Sequence, residues 1–585
     1  MGSFTIKKEN FLLDKEQFKL ISGGMHYFRI PRQYWRDRLE KLKMMGCNTV
    51  ETYIPWNLHE PSPGVFDFSG NQDVISFVKL AQELSLYVIL RPTPYICGEF
   101  EFGGLPWWLL KDRTMRIRST HEGFLKAVDR YYDKLIPLLA ELQISRKGPV
   151  LAFQIENEYG YYGNDKEYLE FLSHGLTGRG IDVPLFTSDG PWGKHLEYGM
   201  VPGVLQTANF GSNGANHFRK LKALQPDKPL VCMEFWMGWF DAWGDEHHTR
   251  DAADAAETLD EILREGHVNL YMFHGGTNFG FTSGANYYGE YKPDVTSYDY
   301  DAPLSENGEL TEKFHAFKSV IGKYTKIPRI NLSEKISILP PREINVIKRS
   351  ALYSQLDKIC MELERGRAYS MEDLDQGYGY INYRIDVQGS DRETMLSLDR
   401  CADRALIFLD NELIAERETA NMNVDVKLEL DESNHRLDIL VENQGRVNFG
   451  HKMNSQRKGI DGALLINGCE TGPVCHFQLP MDSPPSIGTW DDFDSKEPGF
   501  HYFEFELSLS EEGYCDTFFN MDGWGKGVVF VNGRNIGRFW DVGPQKTLYV
   551  PGPFLNEGKN EIIVFETEGK YQRTISMIDK PIIGL

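Results

Sequence analysis

The sequence is poor in the features that announce redox, metal or membrane chemistry. Its eight cysteines, Cys47, Cys97, Cys232, Cys360, Cys401, Cys469, Cys475 and Cys515, are scattered. No CxxC pair occurs and no Cys/His cluster has zinc spacing, so neither a dithiol motif nor a zinc site organises the chain. Several of the cysteines sit in apolar, strand-like runs, where a free buried thiol is expected. No uninterrupted apolar run reaches the roughly 18 residues of a spanning helix. The opening stretch from Met1 to Lys8 lacks the apolar core of a signal peptide. Positive charge is short as well. The 63 Lys and Arg against 85 Asp and Glu leave a formal net charge of −22, which repels phosphate and argues against nucleic acid or anionic membranes as partners. A neutral substrate fits better, and a reduced, cytoplasmic protein is the simplest expectation.

What is present is a long globular chain. Its 585 residues exceed one ordinary domain, and 41% apolar with 25% charged residues argues against disorder. Aromatics reach 13%, a surplus that suits a core or the faces of a sugar site. From residue 19 to about 325, short apolar runs alternate with amphipathic ones. Eight such runs start near Lys19, Asn48, Leu86, Val150, Pro184, Val204, Leu230 and Val268. Helical periodicity marks 32–45, 73–84, 122–142, 165–176 and 249–264 between them. This predicts an α/β fold, a (β/α)8 TIM barrel over residues 1–325. After Ile327 the helical runs give way to alternating strands. Ala405–Ile414 resembles Val528–Ile536, each a hairpin with an Asp-Asn or Asn-Gly turn. Each has a sister strand about 30 residues later (437–441, 561–565) and a matching strand upstream (380–385, 502–507). Two all-β jelly-roll sandwich domains are expected, at 326–479 and 480–585.

In a (β/α)8 barrel the chemistry lies at the C-terminal ends of the strands. Here those ends carry carboxylates and aromatics. The fourth run leads into Glu156-Asn157-Glu158, and the seventh ends in Glu234-Phe235-Trp236. Two carboxylates on separate strand tips, among Trp and Tyr, suggest cleavage of a glycosidic bond, which needs one acid and one carboxylate facing the anomeric carbon. The candidates are Glu99, Glu156, Glu158 and Glu234. Strand alternation puts Glu156 and Glu158 on the same face, so it does not choose between them. Trp236 and Trp239 follow Glu234 directly and could stack on a second sugar ring. The pair His247-His248 has no third ligand at metal spacing and reads as a solvated loop.

Several stretches are long enough to compare with a known family. They are Gly24–Arg29, Asn48–Pro61, Arg91–Pro106, Glu156–Gly160, Glu234–Trp239, Gly275–Phe279 and Thr296–Pro303, continuing into Val447–Gly450 and Lys458–Ile460. The sequence resembles the β-galactosidases of glycoside hydrolase family 35, of the short bacterial type. The resemblance implies Glu158 as acid/base and Glu234 as nucleophile of a retaining exo-β-galactosidase, with no cofactor and no metal. It also implies a galactose site made of Tyr53, Cys97, Gly98, Glu99, Asn157, Tyr271 and Tyr300. Tyr271 is expected to orient the nucleophile. Glu99 is expected to bind sugar hydroxyls, with a structural pair to an arginine as the alternative. Gly98 departs from the family's common Ala, and Phe100 from a frequent Trp. With Phe449 from the first β domain, Trp236 and Trp239 are expected to wall the second sugar. The resemblance further implies a galactose-terminated oligosaccharide substrate, β-1,3-linked galactosyl-N-acetylhexosamine by preference, and a homodimer. Two rival readings stay open. One is a galactose-binding lectin with an inert barrel. The other is a hydrolase of another β-glycoside, such as a glucosaminide or glucuronide.

Overall fold

The computed structural model describes residues 2–333, 336–389, 393–418, 422–490, 497–508 and 513–584. Eight parallel strands close into a barrel in chain order. They are β1 Ile21–Met25, β2 Thr49–Tyr53, β3 Tyr87–Arg91, β4 Val150–Asn157, β5 Leu185–Asp189, β6 Leu205–Phe210, β7 Val231–Trp236 and β8 His267–His274. Helices pack around the outside of the barrel and side chains fill its inside, so the strands are buried almost throughout. Aspartates start three of the long helices. Asp73 accepts from the Ser76 amide at 2.9 Å, Asp165 from Tyr168 at 3.1 Å, and Asp251 from Ala253 and Asp254 at 2.9 Å each. Each satisfies amides that the first turn leaves free. The unit after β5 carries only the short helix His195–Gly199.

The barrel has a closed floor and an open mouth. A three-stranded meander, Phe4–Lys7, Asn10–Leu13 and Glu16–Phe18, lies at the floor. Its Phe4 and Phe11 face Leu20, Leu151, Phe186 and Met233 there. Among the described residues no helix is long and apolar enough to cross a membrane.

Beyond the barrel stand two all-β sandwiches, and the internal repeat read from sequence is a repeat of sheet order. In the first, Tyr380–Gln388, Asn434–Glu442, Arg404–Leu409 and Glu412–Glu418 lie side by side. In the second, Gly499–Leu507, Gly558–Glu566, Lys526–Val531 and Arg534–Trp540 take the same places. Both hairpins turn on left-handed pairs, Asp410-Asn411 (φ 50° and 75°) and Asn532-Gly533 (φ 49° and 81°), the backbone that type I′ turns require.

One expected boundary is corrected. The stretch Arg342–Ala351, assigned by sequence to the first β domain, belongs to the second. Its first half pairs with Thr574–Ile578 and its second half with Gly499–Leu507. One strand thus joins both sheets of that sandwich. Its partners lie about 150 and 230 residues downstream, beyond the reach of a local pattern.

The segment 281–297 is where all three domains meet. Arg538 of the second sandwich donates to Ser283 Oγ at 2.9 Å and to the Asn443 carbonyl of the first at 2.8 Å. The strand Val447–Phe449 of the first sandwich pairs with Ala285–Tyr287, extending a hairpin at the barrel mouth. Arg446 beside it is fully buried between Glu101 of the barrel (2.7 Å) and Glu372 of the sandwich (2.6 Å).

Candidate active site

The mouth encloses a cavity of about 330 Å³, and of the site residues named from sequence it gathers all but Glu156. Tyr53 ends β2, Asn157 and Glu158 end β4, and Glu234 and Trp236 end β7, while Tyr271 lies within β8. The loop after β3 brings Cys97, Gly98 and Glu99, and the loops after β7 and β8 bring Trp239 and Tyr300. Phe449 arrives from the first sandwich. The backbone of Cys97, Gly98 and Glu99 is left-handed in succession, at φ 57°, 63° and 47°. A glycine in the middle of that run relieves what an alanine would strain.

Glu234 is held on both oxygens. Its Oε1 accepts from Tyr53 Oη at 2.8 Å and from Arg91 Nη2 at 2.7 Å. Its Oε2 accepts from Trp236 Nε1 at 3.1 Å. Arg91 is itself immobilised. It donates to Gln154 through Nε and to Asn157 Oδ1 at 2.7 Å, and its guanidinium lies 3.8 Å from the centre of the Tyr53 ring. A fully buried arginine of this kind presents a fixed fork to a carboxylate.

The choice that alternation left open between Glu156 and Glu158 falls to the backbone. Glu156 points away from the cavity, where Arg118 grips both its oxygens at 2.8 and 3.0 Å and Tyr168 donates at 3.3 Å. At Glu158 the strand ends in a left-handed residue, φ 49° and ψ 38°. That turn breaks the two-residue period and brings Glu158 into the cavity beside Asn157. A non-glycine residue in this conformation costs about 1 kcal/mol or more. Glu158 accepts one hydrogen bond, from Asn209 Nδ2 at 3.1 Å. Burial, and then the nearby charge of Glu234, push its carboxyl up to about 8, against the pull of Asn209. One carboxylate is thus tied to a cation, and the other keeps a proton at neutral pH.

Residues 10–324 match the family model described as glycosyl hydrolases family 35. Residues 368–479 match the first all-beta domain of beta-galactosidase, and 498–560 its galactose-binding domain. The chain belongs to glycosyl hydrolase family 35. Its relatives include human beta-galactosidase-1-like protein 2, 42% identical over 95% of this chain and 88% of the relative. A beta-galactosidase of Xanthomonas manihotis is 39% identical over 94% of this chain and 91% of the relative. One from Dictyostelium discoideum, beta-galactosidase 1, is 37% identical over 97% and 92%.

Other details of this family 35 hydrolase differ from expectation. The phenol on Glu234 is Tyr53, not Tyr271. Tyr271 shares a hydrogen bond of 3.2 Å with Tyr298 instead, because the centre of the barrel beside Glu234 is filled by Arg91 stacked on Tyr53. Glu99 pairs with a phenol and not an arginine. Tyr298 donates to its Oε2, while Arg29 donates to the neighbouring Gly98 carbonyl. Burial pushes Glu99 up to about 7. His247 and His248 are anchored rather than freely solvated, since both contact Asp241, at 2.7 and 2.9 Å.

Sequence reasoning passed over Arg91, Tyr298 and Asn209, which orient the acids, and Tyr161, Trp192 and Tyr288, which line the outer cavity. Arg91 and Asn209 stand at the ends of strands already recognised, so position alone pointed to them. Tyr161 lies in the short helix Tyr159–Tyr162 and Trp192 in the loop after β5, and only the fold reveals their partners. Tyr161 stacks on Phe449 at 4.5 Å, and Trp192 lies parallel to Trp236 at 5.8 Å.

Proposed function

We propose that this family 35 enzyme is a retaining exo-β-galactosidase, in which Glu234 attacks C1 and Glu158 protonates the leaving oxygen. The carrying observation is the unlike treatment of two carboxylates on one cavity. Arg91, Tyr53 and Trp236 hold Glu234 as an acceptor, and burial beside it keeps Glu158 protonated up to about pH 8. Once Glu234 carries the sugar its charge is gone, Glu158 becomes more acidic, and it can take a proton from water to hydrolyse the ester. Galactose as the sugar is supported by relatives named beta-galactosidases along nearly the whole chain. A lectin with an inert barrel has no use for this pair of acids.

For the aglycone, the reading is β-1,3-linked N-acetylhexosamine, supported by the aromatic wall of Trp239, Phe449 and Tyr161 beyond the acids. The test is hydrolysis of β-1,3, β-1,4 and β-1,6 galactosides, with the anomer of the first-formed galactose followed by NMR. β-Galactose first, and fastest release from the β-1,3 substrate, is expected. α-Galactose first would end the retaining reading, and equal rates on all three linkages would end the linkage preference.

A further inference from the structure

Arg91 has two carboxylates, not one. Its Nη2 donates to Glu234 at 2.7 Å, and its Nη1 lies 3.6 Å from Glu51 Oε1. Glu51 is on β2 and fully buried. Its Oε2 accepts from Asn269 Nδ2 of β8 at 3.1 Å. Among the described residues, Glu51 Oε1 and Arg91 Nη1 have no hydrogen-bond partner other than what they offer each other. A Cβ on Gly24 of β1 would stand 3.0 Å from Glu51 Oε2, so a glycine there leaves room for the carboxylate. The charged and titratable groups facing Glu51 are Arg91 from β3, Glu234 from β7 and Tyr53 from its own strand. Glu51 lies outside the substrate cavity, so it is no ligand for the sugar. A buried acid that touches neither substrate nor solvent needs another reason to be there.

This inference rests on the double-displacement reading above. In the first step an oxygen of Glu234 forms a bond to C1. The bond from C1 to the leaving oxygen breaks, and that oxygen departs with the proton of Glu158. Negative charge therefore passes from Glu234 to Glu158, and Arg91 loses the carboxylate it was bonded to. A buried cation stripped of its partner is costly. We propose that Glu51 is the standing counter-ion of Arg91, a positioning residue whose charge compensates the arginine while Glu234 is esterified. Burial, Arg91 and Glu234 together put Glu51 at about 7 in the free enzyme, where the Glu234 charge works against its ionisation. Esterification removes that opposing charge and leaves Arg91, so Glu51 is the more firmly ionised in the intermediate.

The consequence is an opposite effect on the two half-reactions. Without the charge of Glu51, Arg91 is committed to a free Glu234 carboxylate, so the ester forms more slowly and breaks more readily. The probe is 2-deoxy-2-fluoro-β-galactosyl fluoride on the full chain. Its inactivation rate reports formation of the ester and its reactivation rate reports breakdown. For Glu51→Gln, inactivation roughly tenfold slower and reactivation roughly tenfold faster are expected. Glu51→Asp, which keeps the charge, should stay near the parent in reactivation. Both rates slowed together, as in a distorted site, or both unchanged, would overturn the proposal. Azide attacks C1 without a general base, but protonation of Glu158 also favours an anionic nucleophile, so the parent is compared with Glu51→Gln. The speed-up of azide-driven reactivation as pH falls from 8 to 5 should be smaller in the variant, and identical profiles count against the idea. If the parent forms no adduct on Glu234, the double-displacement reading itself fails. An adduct on Glu234 with unmoved Glu51→Gln rates overturns the counter-ion alone.

Discussion

On the inner side of the cavity Glu234 is tied into a polar network supplied by the barrel strands. Tyr53, Arg91, Asn157 and Glu234 form one connected set on four strands. On the outer side the lining is aromatic, partly exposed and drawn from loops and from a second domain. Trp192 is 43% exposed and Tyr288 60%, so this wall meets solvent where the inner one does not. Strand ends have little freedom to move, and a buried ion network tolerates little change. Loops and stacked rings can be exchanged at small cost. On the proposed function, the chemistry of one sugar is built into the barrel, and selectivity for what is attached to it would rest on a contact between domains.

The largest effect should come from breaking the inner side. Glu234→Gln is expected to lower kcat on every galactoside by about 10⁴-fold or more. An equal loss on aryl galactosides and disaccharides, with the fold intact by circular dichroism, is the check. Glu158→Gln should cost disaccharides about 10²–10⁴-fold, and aryl galactosides with good leaving groups much less. Its pH signature has a definite sign. Glu158 must hold a proton to act as acid, so kcat/KM of the parent should fall as pH rises through about 8, and that limb should vanish in the variant. Parallel losses on both substrate types would remove Glu158 from the role.

Arg446 joins the two sides, because it pins the strand that carries Phe449. Arg446→Ala leaves Glu101 and Glu372 buried without their cation, which should cost about 3–5 kcal/mol. Urea denaturation should show this loss, with aryl galactoside turnover less affected than disaccharide turnover. An unchanged midpoint would mean that the domains are held elsewhere.

The outer wall should give smaller and more selective effects. Trp239→Ala is expected to change kcat/KM for β-1,3 relative to β-1,4 galactosyl-N-acetylglucosamine by roughly tenfold, from one lost stacking contact. Trp236→Ala is a mixed case, because Trp236 also donates to Glu234, and it should slow aryl galactosides too. If Trp239→Ala keeps the parent's ratio, the aromatic wall does not read the linkage. The smallest effect concerns stability. Folded Glu158 holds its proton to about pH 8 against an ordinary value of 4.5. Between those values the unfolded chain binds fewer protons, so stability falls as pH rises. Glu158→Gln removes that loss, and its Tm advantage over the parent should grow from pH 5 to pH 8.

The sequence by itself determined the periods: eight apolar runs between helical ones, then paired hairpins with Asp-Asn and Asn-Gly turns. Such patterns are local, since a strand or an amphipathic helix is written within a dozen residues, and the acids at the ends of β4 and β7 follow once the barrel is recognised. Tertiary structure decided what depends on distant partners. It set the left-handed turn that brings Glu158, rather than Glu156, into the cavity. It chose Tyr53 over Tyr271 as the phenol on Glu234, and it passed Arg342–Ala351 to the second sandwich. It also carried Phe449 from residue 449 to a site whose acids lie at 158 and 234. Alternation along a strand fails at the strand's end, and hydrogen-bond partners hundreds of residues apart leave no periodic trace.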